Sequence, residues 1–222
     1  EASVGDVVRR CLEQLPTVLV VDDGSRDGTA GEARRAGAEV VSFAVNRGKG
    51  NALERAFGEL FGRGVASVVT VDADGQHLPE EIPKLLAAAG GADLVLGTRD
   101  HLYEQMSPVR RASNRLSSRA ISLVAGQPLA DIQTGFRVYS KRLIETVGFP
   151  EPRFEAESAV VVRASRGGFR VVGVPVRLGF ADGCTTSHYR PLIDSLRIAA
   201  AVTRARFESR QTWQRRARRS SP

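Results

Sequence analysis

Apolar and polar positions along the chain follow two periods, which predict buried strands and amphipathic helices in regular succession. Short apolar stretches rich in β-branched residues lie at 18–21, 40–45, 68–71 and 93–98, and such stretches are typical of strands that are buried on both faces. Between them, apolar residues recur three and four positions apart, as on one face of a helix. Strands separated by helices of this length predict a mostly parallel sheet with helices on both faces.

The same succession continues to both ends of the chain. Helical spacing covers 4–15 and 107–124, and a further helix, strand and helix are predicted at 154–166, at 169–176 and after Pro191. No strand pattern precedes the first helix, although doubly wound sheets usually open on a strand. We therefore expect an α/β fold whose first strand is missing from this chain.

Two carboxylates follow the strand pattern at 68–71. Asp72 and Asp74 are separated by one residue, and Gln76 comes two positions later. The carboxyl ends of parallel strands form the edge at which open α/β sheets bind ligands. Oxygen donors of this kind suit Mg²⁺ or Mn²⁺, whose remaining ligands are water and phosphate oxygens. The pattern predicts a divalent-cation site, and a capped turn with solvated acids is the alternative.

Two other polar turns follow strand patterns. Asp22 and Asp23 open the turn after 18–21, where they either bind a ligand or cap the next helix. Lys49 lies in a glycine-rich turn at 46–51, where it either reaches a bound anion or remains solvated. Asp22 and Asp23 are thus expected at the end of the first strand.

One predicted helix carries a stripe of arginines. Within 107–124 the apolar positions form one face, and Arg111, Arg115 and Arg119 recur at four-residue spacing. Arginines stacked one turn apart can share a phosphate group, whereas a solvated basic face needs no ligand. The spacing leaves both interpretations open.

Composition is that of a soluble globular protein, with 42% hydrophobic and 26% charged residues among 222. No stretch reaches the roughly 18 consecutive apolar residues of a membrane span. The two cysteines, Cys11 and Cys184, lack metal-ligand spacing. We therefore expect a reduced, cytoplasmic setting and no disulfide framework.

The net charge of +7 is concentrated at the carboxyl-terminal end. Residues 204–222 hold seven arginines and one glutamate, while the remaining chain holds 25 basic and 24 acidic residues. We therefore divide the chain into a globular domain at 1–203 and a basic, flexible tail at 204–222. Such a tail suits anionic lipid headgroups, a nucleic acid or solvent about equally well.

Five motifs occur in an order and spacing that carry a family resemblance. They are VVDDGSRDGT at 20–29, NRGKGNA at 46–52, VDADGQH at 71–77, DIQTGFR at 131–137 and FEAE at 154–157. Together they resemble the family 2 glycosyltransferases, in the branch of dolichyl- and polyprenyl-phosphate sugar synthases. The resemblance implies a GT-A fold, a nucleotide-sugar donor, a divalent metal and inversion at the anomeric carbon. It also implies a polyprenyl-phosphate acceptor at the membrane surface.

The resemblance assigns roles to residues of the donor side. It implies that Asp22 and Asp23 hold the ribose and base, while Gly24 and Ser25 let the backbone close on the nucleotide. Lys49 would reach the diphosphate from its glycine-rich turn. The donor is expected to be GDP-mannose or UDP-glucose.

The same resemblance supports the cation site. Asp74 would be the principal ligand of Mg²⁺ or Mn²⁺, with Asp72 and Gln76 supporting it, and Asp72 would also belong to the donor-binding set. Sugar transfer from a nucleoside diphosphate requires neutralisation of the leaving diphosphate, and a bound cation can supply it.

On the acceptor side, Asp131 resembles the family's catalytic or acceptor-orienting aspartate, and Arg137 is the second catalytic candidate. A phosphate acceptor is already ionised at neutral pH, so it needs little help from a general base. Glu155 and Glu157 would contact the sugar hydroxyls or cap their helix. Arg137 is also a candidate for binding the acceptor phosphate, together with Arg110, Arg111, Ser187 and Arg190.

The chain departs from the family pattern at both ends. The family usually opens with a strand and a Pro-Ala-x-Asn-Glu-Glu-like segment that packs on the nucleobase, whereas this chain starts at the counterpart of the last Glu. Many relatives carry transmembrane helices after the catalytic domain, and no such pattern follows here. We expect the helix after Pro191 and the basic tail to provide peripheral contact with the inner face of the membrane.

Three other functions fit parts of the pattern. A sugar-nucleotide nucleotidyltransferase also uses an acid pair and a metal at a sheet edge, but it would release pyrophosphate from a nucleoside triphosphate. A nucleic-acid-binding protein is disfavoured by the near-neutral body and by the lack of an aromatic stacking array. An inactive, truncated glycosyltransferase homologue would bind nucleotide weakly or not at all.

Overall fold

The computed structural model describes residues 3–99, 108–129, 131–179, 191–209 and 211–213, and within them the side chains of 108–116 and 191–192 lie outside the description. The helices are α1 Val4–Leu12, α2 Thr29–Arg35, α3 Lys49–Gly62, α4 Ile82–Ala89, α5 Pro108–Ala125, α6 Lys141–Val147, α7 Glu155–Gly167 and α8 Pro191–Phe207. The strands are β1 Leu19–Asp22, β2 Glu39–Ser42, β3 Ser67–Thr70, β4 Leu94–Thr98, β5 Arg137–Ser140 and β6 Val171–Pro175. A 3₁₀ turn at Pro79–Glu81 leads into α4.

The described strands form two sheets. β1 and β2 pair in parallel, and a four-stranded sheet has the order β3-β5-β4-β6. β5 runs antiparallel to both of its neighbours, whereas β4 and β6 are parallel. Three of these four strands therefore share one direction. This mixed α/β architecture, in which one direction dominates, confirms the predicted fold class.

Helices cover both faces of the four-stranded sheet, as the apolar pattern predicts. Neighbouring residues of a strand point to opposite faces, and Tyr139 packs with α3, α5, α7 and α8 while Val138 packs with α1 and α4. The same division separates Leu94 and Leu96 from Val95 in β4. All five side chains are buried, so this sheet is the centre of the core.

Helix α1 joins the two sheets through two of its faces. Val4 and Val8 pack against Ala33 of α2, beside the β1–β2 pair. Val7, on the adjacent face, packs against Ile82 of α4 and so against the larger sheet. Through these contacts α1 holds the carboxyl ends of β1 and β3 in a fixed relative position.

The predicted helices and strands are found with ends displaced by at most three residues, which is the usual uncertainty of element boundaries. Two elements are additions to the prediction: strand β5 and, following it without a break, helix α6. It begins at Ser140, whose side-chain oxygen accepts a hydrogen bond from the Leu143 amide at 3.2 Å. That N-cap turns the chain directly from strand into helix.

The predicted boundary after residue 203 falls inside α8, which ends at Phe207. Ala205 is fully buried, and Trp213 is buried as well. Arg163 of α7, itself fully buried, donates to Glu208 at 3.0 Å. The arginine-rich composition of this segment concealed a helix whose small apolar residues pack against α7. Residues 214–222 lie outside the described residues.

Among the described residues, no helix is both long enough and apolar enough to cross a lipid bilayer.

Candidate active site

Residues from four of the five motifs meet where β3 ends. The Lys49 ammonium lies 2.7 Å from Asp72 Oδ1 and 3.1 Å from Glu157 Oε2. Gly135 packs against the same ion pair, because a Cβ at this position would collide with Asp72 Oδ2 and would lie 2.8 Å from Lys49 Nζ. The backbone also ties this loop to β3, since Thr70 Oγ1 donates to the Gly135 carbonyl at 2.8 Å. Segments far apart in sequence thus form one charged site.

The ionisation states of Lys49 and Asp72 are set by their contact with each other. Burial alone would raise the pKa of Asp72, but the Lys49 charge, followed by His77 and a hydrogen bond from Lys49, outweighs it and lowers the pKa to about 2. Burial would lower the pKa of Lys49, but the charges of Glu157 and Asp72 raise it above its ordinary value. Lys49 is therefore a cation and Asp72 an anion throughout the neutral pH range.

The fifth motif supports the Lys49 turn from the end of β1. Asp23 accepts hydrogen bonds from the amides of Arg47 at 2.6 Å and Gly48 at 2.8 Å. Asp22 is buried and accepts from the Ser25 amide at 3.0 Å. Asp22 and Asp23 thus shape the two turns beside the ion pair, and the predicted contacts with ribose and base stay a prediction.

Gly24 allows these two turns to approach each other. Its φ of +77° is one that side chains other than glycine rarely adopt. A Cβ on Gly24 would lie 2.7 Å from the Asn46 amide nitrogen, so a larger residue would push the turns apart. The predicted closure of the Gly24 and Ser25 backbone on the nucleotide stays a prediction.

The Lys49 turn packs on its other side against residues 151–153. Gly50 has no room for a Cβ, which would collide with the Glu151 carbonyl oxygen. The Asn51 amide donates to the Pro152 carbonyl at 3.1 Å. Glu151 is held in turn by Arg163, which donates to its Oε2 at 2.8 Å in a buried ion pair. The position of Lys49 therefore depends on backbone contacts from β1 to α7.

The predicted cation ligands lie on the turn after β3. Asp74 is half-buried, and its Oδ1 accepts from the Gln76 amide at 2.9 Å. His77 is buried, stacks on Phe136 with ring centroids 5.1 Å apart, and accepts from the Asp72 amide at 3.2 Å. Burial lowers the pKa of His77 more than the nearby carboxylates raise it, which keeps the ring neutral.

In the described part of the chain, no three histidine, cysteine or acidic side chains converge as a metal site. A hard cation at a phosphate-binding site needs only one or two carboxylates from the protein, with diphosphate and water oxygens completing its shell. Asp72 and Asp74, both partly exposed at one turn, fit this type of donor set.

Asp131 is buried and pairs with Arg99, a residue that the sequence motifs did not indicate. Arg99 donates to Asp131 Oδ2 from its backbone amide at 2.8 Å and from Nε at 2.7 Å, and to Oδ1 from Nη2 at 2.9 Å. Asp131 has a φ of +43°, in the left-handed region. The position of Arg99 could have indicated a site residue, because it directly follows β4 at the ligand-binding edge of the sheet.

The structure corrects the role predicted for Arg137. Its guanidinium is fully buried and donates to the carbonyl oxygens of Ile132 at 2.6 Å, Thr134 at 2.7 Å and Glu157 at 2.6 Å. A guanidinium enclosed in this way cannot grip a substrate phosphate. The hydrogen bonds of Arg137 instead hold the loop that carries Asp131 and Gly135 against the start of α7.

Glu155 and Glu157 lie in the first turn of α7, but neither caps the helix. Glu157 bonds Lys49, while its second oxygen Oε1 is buried without a hydrogen-bond partner among the described residues. Glu155 Oε2 is also buried without a hydrogen-bond partner among the described residues. Buried carboxylate oxygens without donors are costly, so a bound ligand that supplied hydroxyl donors would relieve them.

The remaining acceptor candidates lie partly or wholly outside the described residues. Arg110 and Arg111 lie on α5, but their side chains are outside the described residues. Ser187 and Arg190 lie wholly outside them. Their contact with the acceptor phosphate stays a prediction.

Comparison with known proteins adds sequence and fold relatives. The sequence profile of "Glycosyl transferase family 2" matches residues 1–148. An undecaprenyl-phosphate mannosyltransferase of Micrococcus luteus is 34% identical, over 72% of this chain and 70% of that protein. A polyprenol monophosphomannose synthase of Mycolicibacterium smegmatis is 31% identical, over 77% of this chain and 70% of that protein.

A solved structure resembles the whole fold. The glucosyl-3-phosphoglycerate synthase of Mycobacterium tuberculosis, crystallised with Mn²⁺, uridine diphosphate and phosphoglyceric acid, superposes with a TM-score of 0.69. The superposition covers 94% of this chain and 75% of that one at 19% identity. This likeness agrees with the GT-A fold expected from the motifs.

Proposed function

This chain belongs to glycosyl transferase family 2, and from that premise we propose that it transfers a hexose from a nucleotide sugar to a polyprenyl phosphate. The names of the relatives from Micrococcus luteus and Mycolicibacterium smegmatis support a polyprenyl-phosphate acceptor. GDP-mannose and UDP-glucose are both retained as donors, because no residue among the described ones distinguishes guanine from uracil.

The observation that carries this proposal is the Lys49–Asp72–Glu157 cluster at the edge of the sheet. A departing diphosphate needs positive charge at the moment the glycosidic bond breaks. Lys49 is cationic at neutral pH and stands on a turn that backbone contacts hold in place. Its position beside Asp72 lets it exchange part of this ion pair for an oxygen of the diphosphate.

Asp72, Asp74 and Gln76 would hold Mg²⁺ or Mn²⁺, which supplies further positive charge to the diphosphate when bound. The half-buried carboxylates of Asp72 and Asp74 support this assignment. The Mn²⁺ in the mycobacterial fold relative supports a divalent ion as well.

The acceptor phosphate is ionised at neutral pH, so one of its oxygens can attack the anomeric carbon without a general base. Attack from the face opposite the diphosphate forms the new C–O bond as the old one breaks, and it inverts the configuration. Asp131 cannot be the base in this scheme, because Arg99 occupies both of its oxygens. We assign it the positioning of Arg99 at the end of β4.

Glu155 and Glu157 suit the sugar of the donor. Each has a buried carboxylate oxygen that lacks a hydrogen-bond donor among the described residues, and hexose hydroxyls are donors. Contact with the sugar would satisfy these oxygens and would orient the anomeric carbon.

The test is a transfer assay with labelled GDP-mannose or UDP-glucose, Mg²⁺ and a detergent-dispersed polyprenyl phosphate. We expect label in the lipid fraction, loss of at least about a hundredfold in Asp74→Ala, and unchanged transfer in Glu145→Gln. Glu145 is an exposed carboxylate on α6, away from this edge. Pyrophosphate release from a nucleoside triphosphate would instead identify a nucleotidyltransferase. Failure to bind any nucleotide would identify an inactive homologue.

A further inference from the structure

Arg163 of α7 is fully buried between two carboxylates. Its Nη1 donates to Glu151 Oε2 at 2.8 Å, its Nη2 bonds Glu151 Oε1, and its Nε donates to Glu208 Oε2 at 3.0 Å. The side chains of Glu151 and Glu208 are only 4% and 7% exposed. A charge buried this deeply is costly unless it is paired. Arg163 therefore fixes the segment 151–153 and the end of α8 relative to α7.

The segment 151–153 is also the surface on which α3 begins. Helix α3 starts at Lys49, and its N-cap, Gly48, has no side chain that could accept from the first amides. Those amides have no partner within the helix. The Asn51 amide instead donates to the Pro152 carbonyl at 3.1 Å. The segment thus takes the place of a side-chain cap for the turn that carries Lys49.

The backbones of α3 and this segment lie in direct contact. A Cβ on Gly48 would collide with the Pro152 carbonyl oxygen, and a Cβ on Gly50 with the Glu151 carbonyl oxygen. Glycine at both positions allows this close approach. Because no flexible side chain lies between the two backbones, a shift of the segment must shift the first turn of α3 as well.

The Lys49 ammonium depends on the position of that turn. It lies 2.7 Å from Asp72 Oδ1 and 3.1 Å from Glu157 Oε2, both within hydrogen-bond distance. A displacement of about 1 Å would break these contacts and would misplace the charge that the leaving diphosphate needs. Direct contacts therefore connect Arg163 to Lys49 through Glu151 and the backbone of α3.

Arg166 supplies a comparison on the same helix. It donates to the carbonyl oxygens of Ala205 at 3.1 Å and Glu208 at 3.0 Å, and its guanidinium lies over the Trp213 ring. In the described part of the chain it makes no hydrogen bond to Glu151. Arg166 thus holds the end of α8 on α7, as Arg163 does, but it lacks the connection to Lys49.

We propose that Arg163 is a positioning residue for Lys49, because its pairing with Glu151 holds the segment 151–153 against the first turn of α3. The inference rests on the proposed function and adds to it a residue that touches neither the substrates nor Lys49. An ion pair with a purely structural role would stabilise the fold without changing the affinity for the nucleotide.

Amide hydrogen exchange in the nucleotide-free protein tests the first step. Glu151→Gln keeps the size of the side chain and leaves Arg163 paired with Glu208, so the variant should fold. We expect its Asn51 amide to exchange at least about tenfold faster relative to the Val95 amide of β4, which reports global opening. Arg166→Met should leave this ratio unchanged. An unchanged ratio in Glu151→Gln would overturn the inference.

A double-mutant cycle tests the second step, with UDP and GDP as probes in titration calorimetry with Mg²⁺. Glu151→Gln should weaken nucleotide binding at least about tenfold, as should Arg163→Met if it folds with its two carboxylates unpaired. In the Lys49→Met background, Glu151→Gln should cause no further loss, since Lys49 is the group through which it acts. Additive losses would overturn the inference, as would an equal loss in Arg166→Met.

Transfer activity separates this inference from the proposed function. If exchange and binding follow the expected order but no sugar reaches a polyprenyl phosphate, the proposed function fails and the positioning role stands. If transfer occurs but Glu151→Gln changes neither the exchange of Asn51 nor the affinity for UDP and GDP, the inference fails and the proposed function stands. If the unchanged protein binds neither nucleotide, both fail, because Lys49 then has no diphosphate to contact.

Discussion

Replacement of Lys49 by methionine removes one positive charge from the centre of the site and keeps the length of the side chain. In the unchanged protein Lys49 lies within hydrogen-bond distance of Asp72 and Glu157. Without it, the two carboxylates share a partly buried site with no cation between them. We expect the pKa of Asp72 to rise from about 2, because burial then acts against the charges of His77 and Arg99 without the charge and hydrogen bond of Lys49.

The size of the stability change follows from the same pKa. A displacement from 3.8 to about 2 corresponds to about 2.5 kcal/mol. Asp72 is 36% exposed, and solvent screening reduces this to about 1–1.5 kcal/mol. Because the folded pKa is depressed, this stabilisation is present above about pH 4 and is lost as pH falls toward 2. The variant should therefore be less stable at pH 7, and the difference should shrink in acid.

Carbon-13 NMR titration of the aspartate carboxyls measures the pKa directly, and urea unfolding at pH 7 measures the free energy. Lys141→Met is the matched control, because Lys141 donates to the Phe61 carbonyl at 3.0 Å on another part of α3. An Asp72 pKa that remains near 2 in Lys49→Met would show that Lys49 does not lower it. Equal loss of nucleotide affinity in both lysine variants would refute the assignment of Lys49 to the diphosphate.

Three further substitutions test other parts of the site. Gly135→Ala places a Cβ against Asp72 and Lys49, so transfer should fall at least about tenfold in the kinetic assay. Gly58→Ala is the control, because a Cβ at that position meets nothing within 4 Å. It should raise the unfolding free energy by about 0.5–1 kcal/mol. Asp131→Asn keeps a residue type that tolerates the left-handed backbone but loses the charge opposite Arg99. The Arg99 side chain should then lose its fixed position at the end of β4, and transfer should fall in the same kinetic assay. Arg137→Met leaves buried carbonyl oxygens without hydrogen-bond donors and should lower the free energy of unfolding by about 3–5 kcal/mol. A thermal midpoint equal to that of the unchanged protein would contradict the structural role of Arg137.

The local pattern predicted the parts of the site that depend on strand ends. Asp72 follows β3 and Asp23 follows β1, so the periodicity that located these strands also located the carboxylates. Lys49 was left open between anion contact and solvent, because its partner Glu157 is over a hundred residues away. Contacts at that separation arise from the packing of α7, which periodicity does not encode.

The arginines show why the rest could not be predicted. Arg137 stands in a motif with Asp131 and was the natural candidate for substrate contact, yet it opens β5, which is buried between β3 and β4. Arg99 stands in no recognised motif, yet it reaches Asp131. Which arginine faces the site depends on the antiparallel insertion of β5, a long-range pairing that the residues of one strand do not specify.

The most direct test of sugar transfer to a polyprenyl phosphate is phosphorus-31 NMR of one reaction that contains nucleotide sugar, polyprenyl phosphate, Mg²⁺ and the enzyme. We expect the acceptor monophosphate signal to be replaced by a phosphodiester signal as an equal amount of nucleoside diphosphate appears, and we expect Asp74→Ala to leave all signals unchanged. An unaltered acceptor signal, or pyrophosphate as the released product, would contradict it.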